Sequence, residues 1–191
     1  MVDGITAVDV ERSVLARVAR GDRRAFVEFA RRWERPLYRF LLQRIGSPSL
    51  AEDARQLTLV RVFGAAEGFR GGSVAVWVFR IAHRVAIDVA RREARHAVTD
   101  RPLPDALRDP APSPQRVVES AERETLVRNA LERLPADERA VVWLRVAEGL
   151  SFAEISGVTG EASSTVRYRF LRSLQRLRRH LGTPVDCGLD A

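Results

Sequence analysis

Apolar residues recur along most of this chain at spacings of three and four, and the apolar-polar alternation that marks a β-strand is absent. Such spacing places apolar side chains on one face of an α-helix. Asp22 is a suitable N-cap for the first clear example, whose apolar side carries Phe26, Phe29, Ala30, Trp33, Leu37, Phe40 and Leu41. The pattern predicts an all-α fold.

A proline-rich segment divides this helical pattern in two. Residues 99–116 hold five prolines and no apolar periodicity, a composition typical of a semi-extended linker that contributes to no core. We therefore predict two small helical domains, at 10–96 and 118–182, joined by a Pro-rich linker at 97–117.

Local signals predict the helix boundaries of the first domain. Pro36 should kink or interrupt the first helix, because proline lacks the amide hydrogen that an interior position needs. The segment SLAE at 49–52 matches a capping box, which predicts a helix start at Ser49. Gly71-Gly72 breaks the pattern, and a further helix is expected over about 74–95.

The charge of the chain favours an anionic partner. All 32 basic residues are arginine, and the formal net charge is +7. Residues 1–96 hold 18 arginines against 11 acids, and residues 163–181 hold six arginines and no acid. Nucleic acid is the usual partner of such a surface. The alternative is that the arginines only keep the surface solvated.

The chain offers little for covalent or metal chemistry. Cys187 is the single cysteine and can form no internal disulfide, and three histidines are too scattered to suggest a metal site. Phosphate-binding glycine loops with lysine and plausible nucleophile–histidine pairs are absent, so we expect no enzyme, no catalytic residues, no cofactor and no small-molecule substrate. With neither a signal peptide nor the roughly 20 apolar residues of a membrane span, a cytoplasmic protein without membrane insertion is expected.

The second domain carries the pattern of a helix-turn-helix. One helix is expected over about 136–147. Ser151 and Glu154 form a second capping box, which starts a short helix that ends near 157–160. A long helix then begins around Ser163, and a short helix, a glycine-containing turn and a longer basic helix together predict this DNA-binding motif.

The last helix is amphipathic in a way that suits DNA. Its apolar stripe should pack against the domain and holds Val166, Phe170, Leu174, Leu177 and Leu181. The far side should present the guanidinium groups of Arg169, Arg172, Arg176 and Arg179 to bases or phosphates. A basic helix alone is more often simply solvated, but the capped helix and turn before it favour a helix in the major groove.

The helix predicted from Ser49 has apolar residues on two sides. One stripe should face the core and holds Leu59, Val62, Phe63 and Ala66. On the opposite side, Leu57 and Val60 lie beside Asp53, which suggests a surface for a protein partner. The alternative is that two isolated apolar residues on the surface have no functional role.

Both domains contain segments that resemble the extracytoplasmic-function sigma factors. The stretch from LERLPADER through EGLSFAEISG to STVRYRFLRSLQRLR resembles the family's promoter-reading C-terminal domain. AEDARQLTLVRVF (51–63) resembles its polymerase-binding helix, and GFRGGSVAVWVFRIAHRVAIDVARR (68–92) resembles its segment that opens and reads the promoter −10 element. The likeness covers about 160 of the 191 residues, in the family's order.

The resemblance implies a role for each of three residue groups. Contacts to the −35 element fall to Ser164, Thr165, Arg167, Tyr168, Leu171 and Arg172. Contacts to the −10 element fall to Arg70, Gly71, Ser73, Arg80, His83 and Arg84. Contacts to core polymerase fall to Asp53, Gln56, Leu57 and Val60. The implied partners are core RNA polymerase, promoter DNA and an anti-sigma factor.

The chain also departs from the family pattern. Leu57 stands where an acid is usual, Arg55 replaces an apolar residue, and the reading loop before Trp77 is one residue shorter. Glu161 occupies an apolar position of the turn and is expected to loosen the helix-turn-helix. A stand-alone DNA-binding regulator is the main alternative to a sigma factor; it leaves the first domain unexplained and predicts tight binding to duplex DNA without polymerase.

Overall fold

A computed structural model describes residues 7–96 and 126–181 of the chain. The described residues form helices and short connections without a strand, which confirms the all-α prediction. The elements are α1 (Ala7–Ala19), α2 (Arg23–Ile45), α3 (Pro48–Ala65), a 3-10 turn (Ala66–Gly68), α4 (Val74–His96), α5 (126–132), α6 (Ala136–Val146), α7 (Phe152–Thr159) and α8 (Ser163–Leu181). The predicted linker, residues 118–125 of the second predicted domain and Cys187 lie outside the described residues.

Helix α1 is an element that the sequence reasoning did not predict. Val14, Leu15 and Val18 form its buried face and pack in the core with α2. Arg12 on the same helix donates from Nε and Nη2 to the Gly72 carbonyl, at 3.1 and 2.9 Å. Helix α1 therefore ties down the glycine pair that precedes α4.

Helix α2 starts as predicted but is not interrupted. The Asp22 carboxylate accepts hydrogen bonds from the amides of Arg24 and Ala25, which confirms the N-cap. The helix runs on through Pro36 to Ile45, so of the kink or interruption expected at this residue the interruption is wrong. Buried side chains on both sides of the proline hold the helix in place by packing.

The N-cap of helix α3 lies two residues before the predicted one. Its N-cap is Ser47, whose hydroxyl accepts from the Leu50 amide, and Pro48 takes the first helical position, where its missing N–H is harmless. The capping box predicted at Ser49 is therefore wrong. Glu52 instead accepts hydrogen bonds from Arg55 of the next turn.

The apolar stripe of α3 is buried except at one residue. Leu59, Val62 and Ala66 are buried as predicted, but Phe63 is 44% exposed. The Phe63 ring packs edge-on against that of Phe26, at 5.0 Å between centroids. Phe63 therefore lies at the edge of the core.

The break at Gly71-Gly72 is confirmed, and α4 follows it. Both glycines have positive φ, +94° and +89°, which side-chain-bearing residues rarely adopt. Phe79 of α4 is fully buried and lies edge-on to the rings of Trp33 and Phe40, at 5.6 and 5.2 Å. This aromatic cluster joins α2 to α4 at the centre of the N-terminal domain.

Helices α6, α7 and α8 form the predicted helix-turn-helix. Ser151 accepts from the Glu154 amide, and the Glu154 carboxylate accepts from the Ser151 amide at 2.8 Å, so the second capping box is confirmed. Gly160 ends α7 in the left-handed conformation, with φ +77°. Val166 and Phe170 of α8 are buried against the rest of the domain.

The two domains pack against each other. Helix α6 lies on α2 and helix α7 lies on α4. The buried apolar residues of both domains form one continuous cluster. Arg80, one of the residues assigned to the −10 element, therefore lies against the helix-turn-helix.

Candidate nucleic-acid and polymerase surfaces

The N-terminal half of α8 gathers all the residues assigned to the −35 element. Each of the six is exposed: Ser164, Thr165, Arg167, Tyr168, Leu171 and Arg172. Among the described residues, no ion pair engages Arg167. Tyr168 is 65% exposed, and Leu171 is also exposed despite its apolar side chain. Guanidinium, hydroxyl and apolar groups on one face are the means by which a helix contacts base edges and thymine methyl groups.

Fewer arginines of the α8 stripe are free to contact DNA than the sequence predicted. Glu138 of α6 is 5% exposed, and its carboxylate lies 3.0 Å from Arg176 and 3.7 Å from Arg172. Arg169 bonds to Glu161 at 2.6 Å. A buried carboxylate requires a positive partner, which Arg176 supplies to Glu138. Arg169 is engaged by Glu161 of the turn, so the prediction that the whole stripe faces outward is wrong.

Glu161, the charged residue of the turn, bonds to both neighbouring helices. Its carboxylate accepts from Arg169, and its backbone carbonyl accepts from the Ser156 hydroxyl at 2.6 Å. These bonds join the turn to the helices on both sides. The charge of Glu161 thus has a partner eight residues later, and the looseness expected of the turn stays a prediction.

The residues assigned to the −10 loop are mostly accessible. Arg70 and Gly71 are exposed, and Arg70 donates from Nη1 to the Glu67 carbonyl at 2.7 Å. Ser73 is half-buried, and its hydroxyl accepts from the Val76 amide at 3.3 Å at the start of α4. The loop is thus held in shape from both ends.

The other three residues assigned to the −10 element lie on α4 and differ in their exposure and bonding. Arg84 is exposed, and Arg80 donates from Nε to the carbonyl of Gly157 in α7, at 2.6 Å. His83 is only 9% exposed. Burial, helped by the charges of Arg44 and Arg169, lowers the pKa of His83 to about 4, so its imidazole is neutral at neutral pH.

The surface assigned to core polymerase lies on α3. Asp53 and Gln56 are exposed, and Val60 is 65% exposed. Leu57 is half-buried and packs against the core, so the expectation that it is exposed is only partly met. The face therefore combines a carboxylate, an amide and a prominent apolar side chain.

Arg55, which departs from the family pattern, is held by neighbouring acids. Its guanidinium bonds to Glu52 and lies 3.5 Å from Glu34 of α2. The hydrogen bond from Arg55 lowers the pKa of the Glu52 carboxyl. Arg55 thereby joins α3 to α2.

Two residues that shape these surfaces escaped the sequence reasoning. Arg139 of α6 donates to the carbonyls of Glu132 and Leu134 and, across the domain boundary, to that of Gln43. Gly157 lies against α4. No local signal marks the contact that either residue makes across the domain boundary, because that contact joins residues more than 70 positions apart.

Two negative findings apply to residues 7–96 and 126–181. In those segments, no three histidine, cysteine or acidic side chains come together as a metal site would need. None of the helices there has the length and apolar character to cross a membrane.

The fold and its surfaces define a helical DNA-binding protein that pairs a helix-turn-helix with a second helical domain. Comparison with known families refines this class. Residues 29–96 match the family model for Sigma-70 region 2, and residues 124–177 match the model for Sigma-70, region 4. The chain belongs to the extracytoplasmic-function sigma factors of the sigma-70 family, which direct promoter-specific transcription.

Relatives and solved structures agree with this assignment. SigM of Mycobacterium tuberculosis is 34% identical over 170 residues, 88% of this chain and 83% of that protein. SigE of Mycolicibacterium smegmatis is 33% identical over 156 residues, and the match covers 81% of this chain but only 60% of SigE. The sigma factor RpoE of Bartonella quintana, solved with the anti-sigma factor NepR, shares the fold at 22% identity, with a TM-score of 0.69 over 82% of this chain and 98% of RpoE.

Proposed function

We propose that this chain joins core RNA polymerase to a promoter by holding three partners on three surfaces. The face of α3 contacts the polymerase, the loop at 70–73 with the exposed side of α4 holds the single-stranded −10 element, and α8 reads the −35 duplex. The observation that carries the proposal is the outward face of α8, where six assigned residues are all exposed. We propose that the chain acts in the cytoplasm and that it binds its partners without catalysing a reaction.

Chemistry at α8 supports a contact with duplex DNA. Arg167 projects from the N-terminal part of the helix, which is the part of a recognition helix that reaches base edges. The ion pairs of Glu138 with Arg172 and Arg176 tie α8 to α6 and so fix the orientation of this face. A rigidly held helix loses less conformational entropy when it binds.

Chemistry at the loop and at α4 supports a contact with an unpaired strand. Arg70 and Arg84 are exposed cations, and the backbone at Gly71 is open to approach. Single strands are held by cations that follow the phosphates while bases enter pockets. Trp77, close to this loop, is half-buried and packs edge-on against Phe69 at 5.5 Å.

A transcription assay tests the proposal. Core RNA polymerase and this chain should give a discrete transcript from DNA upstream of the chain's own gene, at a level that falls steeply with added salt. Arg167→Ala should reduce the transcript at least about fivefold, since one bidentate arginine contact is worth about 1–3 kcal/mol of discrimination. The amount of full-length transcript at matched protein concentration is the measurement.

Arg179→Ala is the matched control for this assay. Arg179 also lies on α8 and is exposed, but it is 12 residues further along and donates to the Gln175 carbonyl of its own helix. The control removes the same charge and should lower the transcript much less. Absence of a transcript together with absence of binding to core polymerase would contradict the proposal, and tight binding to duplex DNA without polymerase would favour the stand-alone regulator.

An anti-sigma factor is a further proposed partner. Solved relatives support it by their own complexes: RpoE of Bartonella quintana is bound to the anti-sigma factor NepR, and CnrH is bound to the cytosolic domain of CnrY. Such a partner should copurify with this chain from uninduced cells and should block its binding to core polymerase. A chain recovered from uninduced cells without a stoichiometric partner would count against it.

A further inference from the structure

Glu138 is a carboxylate buried between two helices of the C-terminal domain. It lies in the first turn of α6 and is 5% exposed. One of its oxygens lies 3.0 Å from Nη1 of Arg176 and 3.7 Å from Nε of Arg172, both on α8. The Ser173 hydroxyl lies 3.4 Å from the other oxygen, but its single proton has a shorter bond, at 2.8 Å, to the carbonyl of Arg169. The two arginines therefore supply most of the charge that Glu138 needs.

The two arginines differ in how much of the guanidinium remains available. The Arg176 side chain is 27% exposed and reaches Glu138 with a terminal nitrogen. The Arg172 side chain is 49% exposed and approaches Glu138 through Nε, the inner nitrogen. Among the described residues, no acid engages either terminal nitrogen of Arg172. Arg172 is thus held from its inner side and keeps outer donors for a bidentate contact with a base edge.

The burial of Glu138 decides whether Arg176 can leave it. Removing one partner of a buried ion pair is strongly destabilising, because an uncompensated charge stays behind. A contact between an arginine and a DNA phosphate forms at the surface, where salt screens it. The loss exceeds the gain, so Arg176 stays with Glu138 when duplex DNA approaches α8.

Contacts with phosphates and contacts with bases have different consequences. An arginine on a phosphate adds affinity for every sequence, whereas an arginine on a base edge adds affinity for one. Holding Arg176 therefore limits the affinity for unrelated DNA. Holding Arg172 preserves discrimination, because an unrestrained guanidinium could bind the nearest phosphate instead of a base.

We propose that Glu138 is a positioning residue that sets how strictly α8 reads the −35 element. Its carboxylate keeps Arg176 away from the phosphates and keeps the outer nitrogens of Arg172 for a base. The inference rests on the proposed function, in which α8 reads the −35 duplex. A role for Glu138 in stability alone would instead lower the affinity for all DNA alike.

Glu138→Gln tests this in the complex of the full chain with core polymerase. Glutamine has nearly the size of glutamate, but it lacks the charge that holds the two arginines. The probes are two duplexes from upstream of the chain's own gene, one intact and one with the −35 element scrambled. Affinity for the scrambled duplex should rise. The ratio of the two affinities should fall about fivefold or more, the factor that one bidentate arginine contact contributes.

The salt dependence of binding identifies the arginine that is released. For the scrambled duplex, the slope of log affinity against log salt concentration should become steeper by about 1 to 2, for one or two new phosphate contacts. Adding Arg176→Gln to Glu138→Gln should reverse about 1 of that change and leave the affinity ratio low. Arg176→Gln alone should keep the parent slope, because Arg176 contacts no phosphate while Glu138 holds it. This single variant tests the proposal even if Glu138→Gln does not fold.

Glu132→Gln is the matched control. Glu132 is exposed on α5 of the same domain and loses the same charge, so this variant should keep the parent ratio and slope. If folded Glu138→Gln keeps the parent ratio and slope, or weakens binding to both duplexes alike, the inference is overturned. A slope that falls by about 1 in Arg176→Gln alone also overturns it. These results leave the proposed function standing, whereas a parent complex that binds both duplexes equally contradicts the reading of the −35 element by α8.

Discussion

Replacing Phe79 by alanine is expected to lower the free energy of unfolding by about 3–5 kcal/mol, because the buried ring would leave a cavity that its neighbours cannot fill. Phe79 is fully buried and joins the rings of Trp33 and Phe40. This loss is a large part of the about 5–15 kcal/mol that stabilises an ordinary protein. Urea unfolding followed by far-UV circular dichroism measures it.

Phe63→Ala is the control for Phe79→Ala. The Phe63 ring is partly exposed and packs on Phe26 at the edge of the core. Its removal forfeits an edge-on aromatic pair, worth about 0.5–1.5 kcal/mol, with little cavity. Similar losses for the two variants would show that the cluster around Phe79 is not the centre of the core.

Val60→Asp is expected to weaken binding to core polymerase at least about tenfold, because a carboxylate would be buried without a partner in an apolar contact. Val60 is largely exposed on α3, so the change should leave the fold intact. Affinity for purified core enzyme, measured by anisotropy of a labelled chain, is the readout. Transcription in the presence of limiting chain should fall in parallel.

Val27→Asp is the control for Val60→Asp. Val27 is 49% exposed on α2 and receives the same change of charge, at a position outside the α3 face. It should bind core polymerase like the parent chain. If both variants keep the parent affinity, or if both lose it equally, the α3 face has no special role in the interaction.

Local signals predicted most helix boundaries well, because a cap depends on residues within one turn of each other. Asp22 and the box formed by Ser151 and Glu154 are caps of this kind, and all three behave as predicted. At the start of α3 two local signals competed. Ser47 followed by Pro48 prevailed over Ser49, because proline is already set for the first helical position.

Tertiary packing, and not the local sequence signal, decided whether a helix continued and which of its residues were buried. Pro36 removes an amide donor from α2, yet the helix continues because its buried face is held by the rest of the domain. Phe63 has the right spacing for the core stripe, but it lies at the edge. A period of 3.6 residues shows which face of the helix a residue lies on. Whether that residue is buried depends on how far the neighbouring helices extend over the face.

Part of the candidate site could likewise be predicted from the sequence, and part of it was decided by packing. The sequence determined that the chain is helical, that α8 is amphipathic and basic, and that its segments resemble a known family. Which arginines of α8 remain outward was decided in part by Glu138, which is buried in another helix 38 residues before its partner Arg176. The spacing of residues describes the faces of a single helix. The ion pairs of a buried carboxylate depend on which side chains of other helices lie beside it.

Only the tertiary structure decided how the two domains meet. Arg80 and Gly157 are 77 positions apart, and nothing in either local sequence indicates that they touch. The bond forms because α7 ends with a free carbonyl, α4 presents a guanidinium, and a missing β-carbon lets the two helices come close. Residue types and periodicity determine helices, but a contact between domains depends on distances that the sequence does not contain.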